Sequence, residues 1–369
     1  MVRKLLAALL CALLLTGCAH NAAEPPTGDT QPTGSMELAY AEQFTVDYYD
    51  GGAALATIAG EERYLLVPEG ADAPDIPDAT VLHTPLDHID LASSSAMDPF
   101  CRLNALGAVR FTGTAAADWS LPEVAAAMDA GEILYAGKYR APDYELLLAE
   151  GCSLAVENTM ILHSPATREQ LEALGIPTMI ERSSYESHPL GRLEWIKLYG
   201  LLAGKEAEAE AYFDAQTAAL SDILAAESTG NTVAVFSVSP NGYVTVRRPG
   251  DYLSKMVALA GGVYVPAELA GEDNSLSTIN MQFEAFYAGA RGADVLIYNS
   301  TIYPMDSLAQ LLAENDMFAD FKAVQSGNVW VTEKNLFQET SAVGGMIADF
   351  HAVLTGTEET ELTYLRKLK

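Results

Sequence analysis

The chain has 369 residues, 49% of them hydrophobic, and its 21 Lys and Arg against 50 Asp and Glu leave a formal charge of −29 at pH 7. So acidic a composition excludes nucleic acid and an anionic membrane face as partners, because both are held by clustered cations. After the leader no long apolar run recurs, and about 330 residues remain, room for two domains in a globular body.

Residues 1–18 read as a targeting segment. Arg3 and Lys4 precede a leucine and alanine run from Leu5 to Leu15, too short for a bilayer of about 30 Å, and a small-residue exit follows. Leu15-Thr16-Gly17-Cys18 resembles the lipobox of bacterial lipoproteins, which implies that Cys18 becomes an acylated N-terminus and anchors the body to the outer face of the cell membrane. Residues 19–36, rich in Pro, Gly, Thr and Ala, are predicted to be a flexible tether.

From residue 37 to 186 short apolar runs alternate with helical spacing. Strands are predicted at Arg63–Val67, Thr80–His83, Val109–Thr112, Glu132–Ala136, Ser153–Glu157 and Pro177–Glu181, and helices at Asp98–Leu106, Leu121–Ala130, Tyr144–Ala149 and Ser164–Leu174. This alternation predicts an α/β lobe with a parallel sheet. Residues 187–228 carry no strand signal. Leu190, Leu193, Ile196 and Leu201 keep helical spacing, as do Tyr212, Gln216, Leu220 and Leu224, with Ser187 as a cap, Pro189 in the first turn, and Gly200 and Gly204 as points of division. Residues 229–369 return to the alternating pattern, with strands at Thr232–Val238, Gly262–Val265, Asp294–Tyr298 and Asn328–Thr332. The run Tyr144–Asn158 is echoed by Phe283–Asn299, each an aromatic-Glu helix start leading through glycine to an apolar strand. The expectation is two related Rossmann-like α/β lobes joined by a single long helix, with a ligand cleft between them.

Cys101 and Cys152 match no disulfide or metal framework and are read as separate buried thiols. The motifs of hydrolases, metalloproteases, P-loop proteins and dinucleotide enzymes are absent. Ser93-Ser94-Ser95 reads as a polar turn, leaving a lipid-anchored hydrolase as a remote alternative.

The order of several short segments resembles the substrate-binding lipoproteins of ABC importers for ferric siderophores, haem and cobalamin. The carriers are Ala105-Leu106-Gly107 before the Val109 strand, Ala136-Gly137 leading to Pro142–Glu145, and Leu174–Pro177. In the linker they include Gly200–Ala209, and in the last lobe Leu259–Gly262 and Ala293–Ile297. The resemblance covers nearly everything from about Val81 to Leu365. The resemblance implies capture of a metal chelate, a ferric siderophore or haem, by a monomer that hands it to a permease dimer and its ATPase, with no cofactor and no catalysis. A corrinoid is the alternative cargo. Where the family places a permease-docking glutamate on each lobe, this chain has Cys101 and Lys255. Asp98 and Asp251, one turn away, are the substitute docking acids, or else complement their helix dipoles.

In such a fold the ligand contacts come from loops at strand ends. They nominate Trp119, then Lys138, Tyr139 and Arg140, an aromatic face between two cations. Arg182 and Tyr185 follow at the lobe junction, and Arg247, Arg248 and Tyr303 in the second lobe. Alternation sends Arg247 and Arg248 to opposite sides. A rival reading, a zinc or manganese lipoprotein, would draw on His83, His88, His163 and His188 with Glu157 and Asp90. No HxH pair favours it, and no resident metal site is assigned.

Overall fold

The computed structural model describes residues 31–266, 278–357 and 362–369. The leader, Cys18 and most of the tether lie outside the described residues.

The body opens with a sheet the sequence pattern only half predicts. Strands β1 (Gly34–Ser35), β2 (Phe44–Tyr48), β3 (Ala54–Ile58), β4 (Glu62–Pro68) and β5 (Thr80–Thr84) lie side by side in chain order. All pairs are antiparallel except β4–β5. Gly34 already pairs with Tyr48, so the tether ends before residue 34 rather than at 36. The sequence pattern missed β2 and β3, because Ala54-Leu-Ala-Thr-Ile58 is buried on both faces and shows no alternation.

The first lobe follows the predicted alternation. Its sheet, ordered β12-β11-β6-β7-β8, is parallel throughout. The strands are β6 (Ile89–Leu91), β7 (Val109–Thr112), β8 (Leu134–Tyr135), β11 (Leu154–Asn158) and β12 (Thr178–Glu181), and the short pair β9 (Gly137–Lys138) and β10 (Ala141–Pro142) forms a separate hairpin. Helices α1 (Met97–Arg102), α2 (Pro122–Asp129), α3 (Tyr144–Ala149) and α4 (Pro165–Ala173) fall where their spacing placed them. Strand β6 was missed, since one acidic residue, Asp90, stands in its three.

The linking segment is helical but divided. Helix α5 (Pro189–Ala203) is capped by His188, not Ser187, whose ring nitrogen accepts from the Leu190 N–H at 3.1 Å. It stops at Gly204, whose φ of +66° suits glycine. Helices α6 (Glu206–Ala219) and α7 (Ser221–Ala225) follow. Lys197 on α5 reaches Glu210 on α6 at 3.2 Å and lies 4.6 Å from the Phe213 ring, so α6 folds back along α5.

Every residue from Pro189 to Leu202 is buried. Leu190, Leu193 and Ile196 face the second-lobe core, and Trp195, Leu198, Tyr199 and Leu202 the first. Segment 39–43 straps the helix. The N–H groups of Ala39, Tyr40 and Ala41 donate to Glu194 at 2.8–2.9 Å, and those of Glu42 and Gln43 to Glu186 at 2.7 and 3.1 Å. Five partly buried backbone donors are thereby satisfied by two carboxylates.

The second lobe has strands β13 (Thr232–Val238), β14 (Val244–Arg247), β15 (Val263–Tyr264), β16 (Thr278–Met281), β17 (Val295–Tyr298), β18 (Val329–Thr332) and β19 (Leu365–Lys367). The order β16-β14-β13-β17-β18-β19 keeps β13, β17 and β18 parallel, with β15 beside β13. Helices α8 (Tyr252–Leu259) and α12 (Val343–Thr355) cover one face, and α9 (Phe283–Ala290), α10 (Leu308–Glu314) and α11 (Lys322–Gln325) border the other. The sequence echo corresponds to α3–β11 and α9–β17, both helix-to-parallel-strand units.

Candidate functional site

The carboxyl ends of the two parallel sheets meet. Ser95, Asp118 and Ser120, which follow β6 and β7, bond to Gln338 and Thr340, which follow β18. The Thr340 hydroxyl donates to the Ser95 carbonyl at 2.7 Å, Ser120 N–H to Gln338 Oε1 at 2.6 Å, and Gln338 Nε2 to the Asp118 carbonyl at 2.9 Å. This is the end at which an open α/β sheet takes its ligands.

Of the two acids expected to dock a permease, Asp98 is internal to this contact and Asp251 is enclosed within the second lobe. Asp98 is fully buried, pairs with Arg102 at 2.9 Å and accepts the Ser341 N–H at 2.7 Å from the other lobe. Burial pushes its carboxyl above the usual range, against the pull of Arg102 and Ser341. Asp251 is 3% exposed, caps α8 by accepting the Leu253 N–H at 2.9 Å, and pairs with Arg247 at 3.2 Å. Asp251 caps α8 and Asp98 stands in the first turn of α1 without capping it, and both are buried in this structure, where docking acids were expected at the surface.

A cationic and aromatic corner lies where β12, α5 and the β14–α8 turn converge. The Arg182 guanidinium lies 6.0 Å from the Tyr185 ring, Arg192 stacks 4.4 Å over Tyr252, and Arg247 stands 5.5 Å from Phe337. Lys255 donates to the Ser187 carbonyl, and Ser254 to that of Arg248 at 2.9 Å, which ties the exit of the first lobe to the start of α8. Behind them Glu181, 3% exposed, accepts from Ser95 at 2.8 Å and from the Ser183 N–H at 2.6 Å. Burial pushes the Tyr199 hydroxyl well above its ordinary value, with Glu181 adding to the effect and Arg192 opposing it. The nominated Arg182, Tyr185, Arg247 and Arg248 all belong to this corner.

The other nominees are dispersed. Trp119 is 9% exposed and packs into the first-lobe core, because Leu121 and Val124 draw the chain inward; it is removed from the cleft wall. Lys138, Tyr139 and Arg140 form the β9–β10 tip, with Arg140 stacked 5.3 Å from the Tyr139 ring. Gly137, at φ +87°, makes that turn possible; a Cβ there would lie 2.5 Å from the Ala141 carbonyl. Tyr303 lines a pocket of about 440 Å³ on the second lobe with Ser237, Ser239, Asn241, Tyr243 and Ile302. Tyr243 and Ile302, 38% and 74% exposed at strand ends, were missed, as was Met160 at 48% after β11. The one legible signal was an apolar residue beside a polar turn.

The histidines of the metal rival do not converge on Asp90 and Glu157. His83, His88 and His163 are exposed, and His188 stacks on Tyr40 at 4.6 Å. Among the described residues no group of three or more His, Cys, Asp and Glu is placed to hold a metal ion. Cys101 and Cys152 are both free.

The family model described as periplasmic binding protein matches residues 101–336, well over half of the chain. An uncharacterized lipoprotein of Methanocaldococcus jannaschii is 26% identical over 374 residues, covering 94% of this chain and 90% of the relative. A periplasmic haem-binding protein from Pseudomonas aeruginosa superposes with a TM-score of 0.59 at 16% identity, over 77% of this chain and 99% of its own. The periplasmic vitamin B12 binding protein of Vibrio cholerae does so with a TM-score of 0.53 at 14% identity, over 75% and 99%.

Proposed function

The chain belongs to the periplasmic binding protein family, and from that premise we propose that it captures a ferric siderophore or haem outside the cytoplasm and delivers it to the permease of an ABC importer. Members of the family are substrate-binding components of transporters, not enzymes. The observation that carries the cargo class is the corner of Arg182, Tyr185, Arg192 and Tyr252 at the meeting of the two strand ends. Guanidinium forks and ring faces together suit a flat or aromatic chelate bearing negative charge. The lipoprotein relative supports an anchor at Cys18, which would hold the carrier near its permease and raise its effective concentration there.

Tryptophan fluorescence, from the chain's 3 Trp, titrated with ferric siderophores, haemin, cyanocobalamin, Zn²⁺ and Mn²⁺ tests the cargo. Saturable binding of a ferric chelate or haemin supports the proposal. Binding of cyanocobalamin alone moves the cargo to corrinoids, and binding of a bare ion alone refutes the chelate. Mass spectrometry of the membrane-extracted protein tests acylation of Cys18.

A further inference from the structure

Arg192 sits where an arginine is costly. It is 7% exposed, in the second turn of α5, between the cores of the two lobes. Among the described residues its side chain forms no ion pair and no hydrogen bond; its guanidinium stacks 4.4 Å over the Tyr252 ring and lies in the field of the Tyr199 hydroxyl. Its neighbours on the helix, Glu194 and Lys197, are equally buried, yet they pair with each other at 3.2 Å and with the strap. Burying a guanidinium nitrogen without an acceptor is costly, and a cation–π contact returns only part of that cost.

Other groups at the same junction are also unsatisfied. Arg192 Nε, Arg182 Nε and the Tyr199 hydroxyl are sealed from solvent without partners, and Tyr199 lies two turns along α5 from Arg192. The nearby carboxylate does not answer them, since the Glu181 oxygens accept from Ser93, Ser95 and the Ser183 N–H. Among the described residues three donors at the junction are thus left without an acceptor, within a chain of charge −29. The missing partner is an acceptor with negative charge.

We propose that Arg192 anchors a carboxylate of the cargo at the floor of the cleft, with Arg182 as its second donor. The ring covering Arg192 belongs to α8 of the second lobe, so a small displacement of that lobe uncovers the guanidinium and return of the lobe seals the ion pair. Placing the anchor on the linking helix puts the charge that reads the cargo on the element both lobes share. This inference rests on the importer reading and adds to it the chemistry of the cargo's recognised group.

The test uses the full chain, wild type and Arg192→Met, titrated with haemin, haemin dimethyl ester, ferric citrate and cyanocobalamin, together with ligand-free melting curves. Wild type is expected to bind a carboxylate-bearing probe, haemin or ferric citrate. Arg192→Met should bind that probe at least about tenfold more weakly while melting at the same or a higher temperature without ligand, since methionine removes an unpaired buried charge. An Arg192→Lys variant should recover part of the lost affinity. Unchanged affinity in Arg192→Met, a lowered ligand-free melting point, or wild-type binding confined to the ester or cyanocobalamin overturns the anchor and leaves the importer reading standing. Failure of wild type to bind any of the four overturns the anchor, and failure to bind the ferric siderophores as well overturns the importer reading.

Discussion

Two carboxylic acids in the first lobe set a pH dependence opposite to that of most proteins. Asp90 on β6 and Glu157 on β11 are 3% and 1% exposed, and they point to the same face of the sheet as Ala155, against an apolar cluster that includes Phe111 and Leu171. Among the described residues neither oxygen of Glu157, nor Oδ1 of Asp90, has a hydrogen-bond partner, and neither acid forms an ion pair. Burial pushes Asp90 up to about 7; burial and the Asp90 charge push Glu157 up to about 8. The only other titratable group drawn into their field is the Cys152 thiol, raised to about 12 chiefly by burial and then by Asp90. Because both acids hold their protons longer in the folded state, the stability they confer is complete below about pH 4 and is lost as pH rises through 7 and 8. Between pH 5 and pH 8 the unfolded chain carries both ionised, so at about 1.4 kcal/mol per pH unit the pair withdraws about 6 kcal/mol. Thermal melts by circular dichroism in matched ionic strength should therefore show a transition roughly 10 °C lower at pH 8 than at pH 5. The Asp90→Asn, Glu157→Gln double variant should remove most of that slope. A wild type that melts higher at pH 8, or a double variant with the same slope, would refute the reasoning.

Glu194→Ala strands three backbone N–H groups of the strap and should cost about 3–5 kcal/mol in urea unfolding, the penalty for unpairing buried charge-assisted bonds; a loss under about 1 kcal/mol would show that the strap is dispensable. Gln338→Ala removes both bonds to the 118–120 loop, so amide exchange at Ser120 should accelerate several-fold while that of β13 stays unchanged. Gly137→Ala forces a Cβ against the Ala141 carbonyl and should lower stability by about 1–3 kcal/mol; the same variant should alter haemin titration only if the Tyr139 tip touches the cargo. Arg182→Ala should weaken a bound chelate by about 1–3 kcal/mol without lowering the melting point, and unchanged affinity would remove it from the site.

Periodicity read the parallel lobes well because βα units announce themselves by length and spacing, as α2 and α4 do. It failed where burial came from elsewhere in the chain. The sequence analysis assigned no role to Arg192, Glu194 or Lys197, since nothing local reveals that residues 37–41 bind Glu194 and Lys197 or that Tyr252 of the second lobe covers Arg192. Asp98 and Asp251 looked available because a helix start is normally exposed; only the packing of the 338–341 turn shows Asp98 to be enclosed. Trp119 illustrates the converse. A tryptophan in a loop suggests a ligand wall, yet the same side chain fills a core when the next helix begins three residues later, at Pro122. The corner formed by Arg182 and Arg247 was legible because both follow strands, whereas its deepest cation, on a helix, carried no such mark.

The strap has a mechanical consequence. A pull arriving through Pro32 is taken first by Thr33 and Met36, bonded to β2 at 2.7 and 2.9 Å, then by the Glu37 carbonyl bonded to Lys197, and then by the five N–H groups on Glu194 and Glu186. That load path runs through the first sheet into α5 and bypasses the contacts among Ser95, Ser120, Gln338 and Thr340. Drag on a leash attached there would strain the frame and leave the jaws unpried.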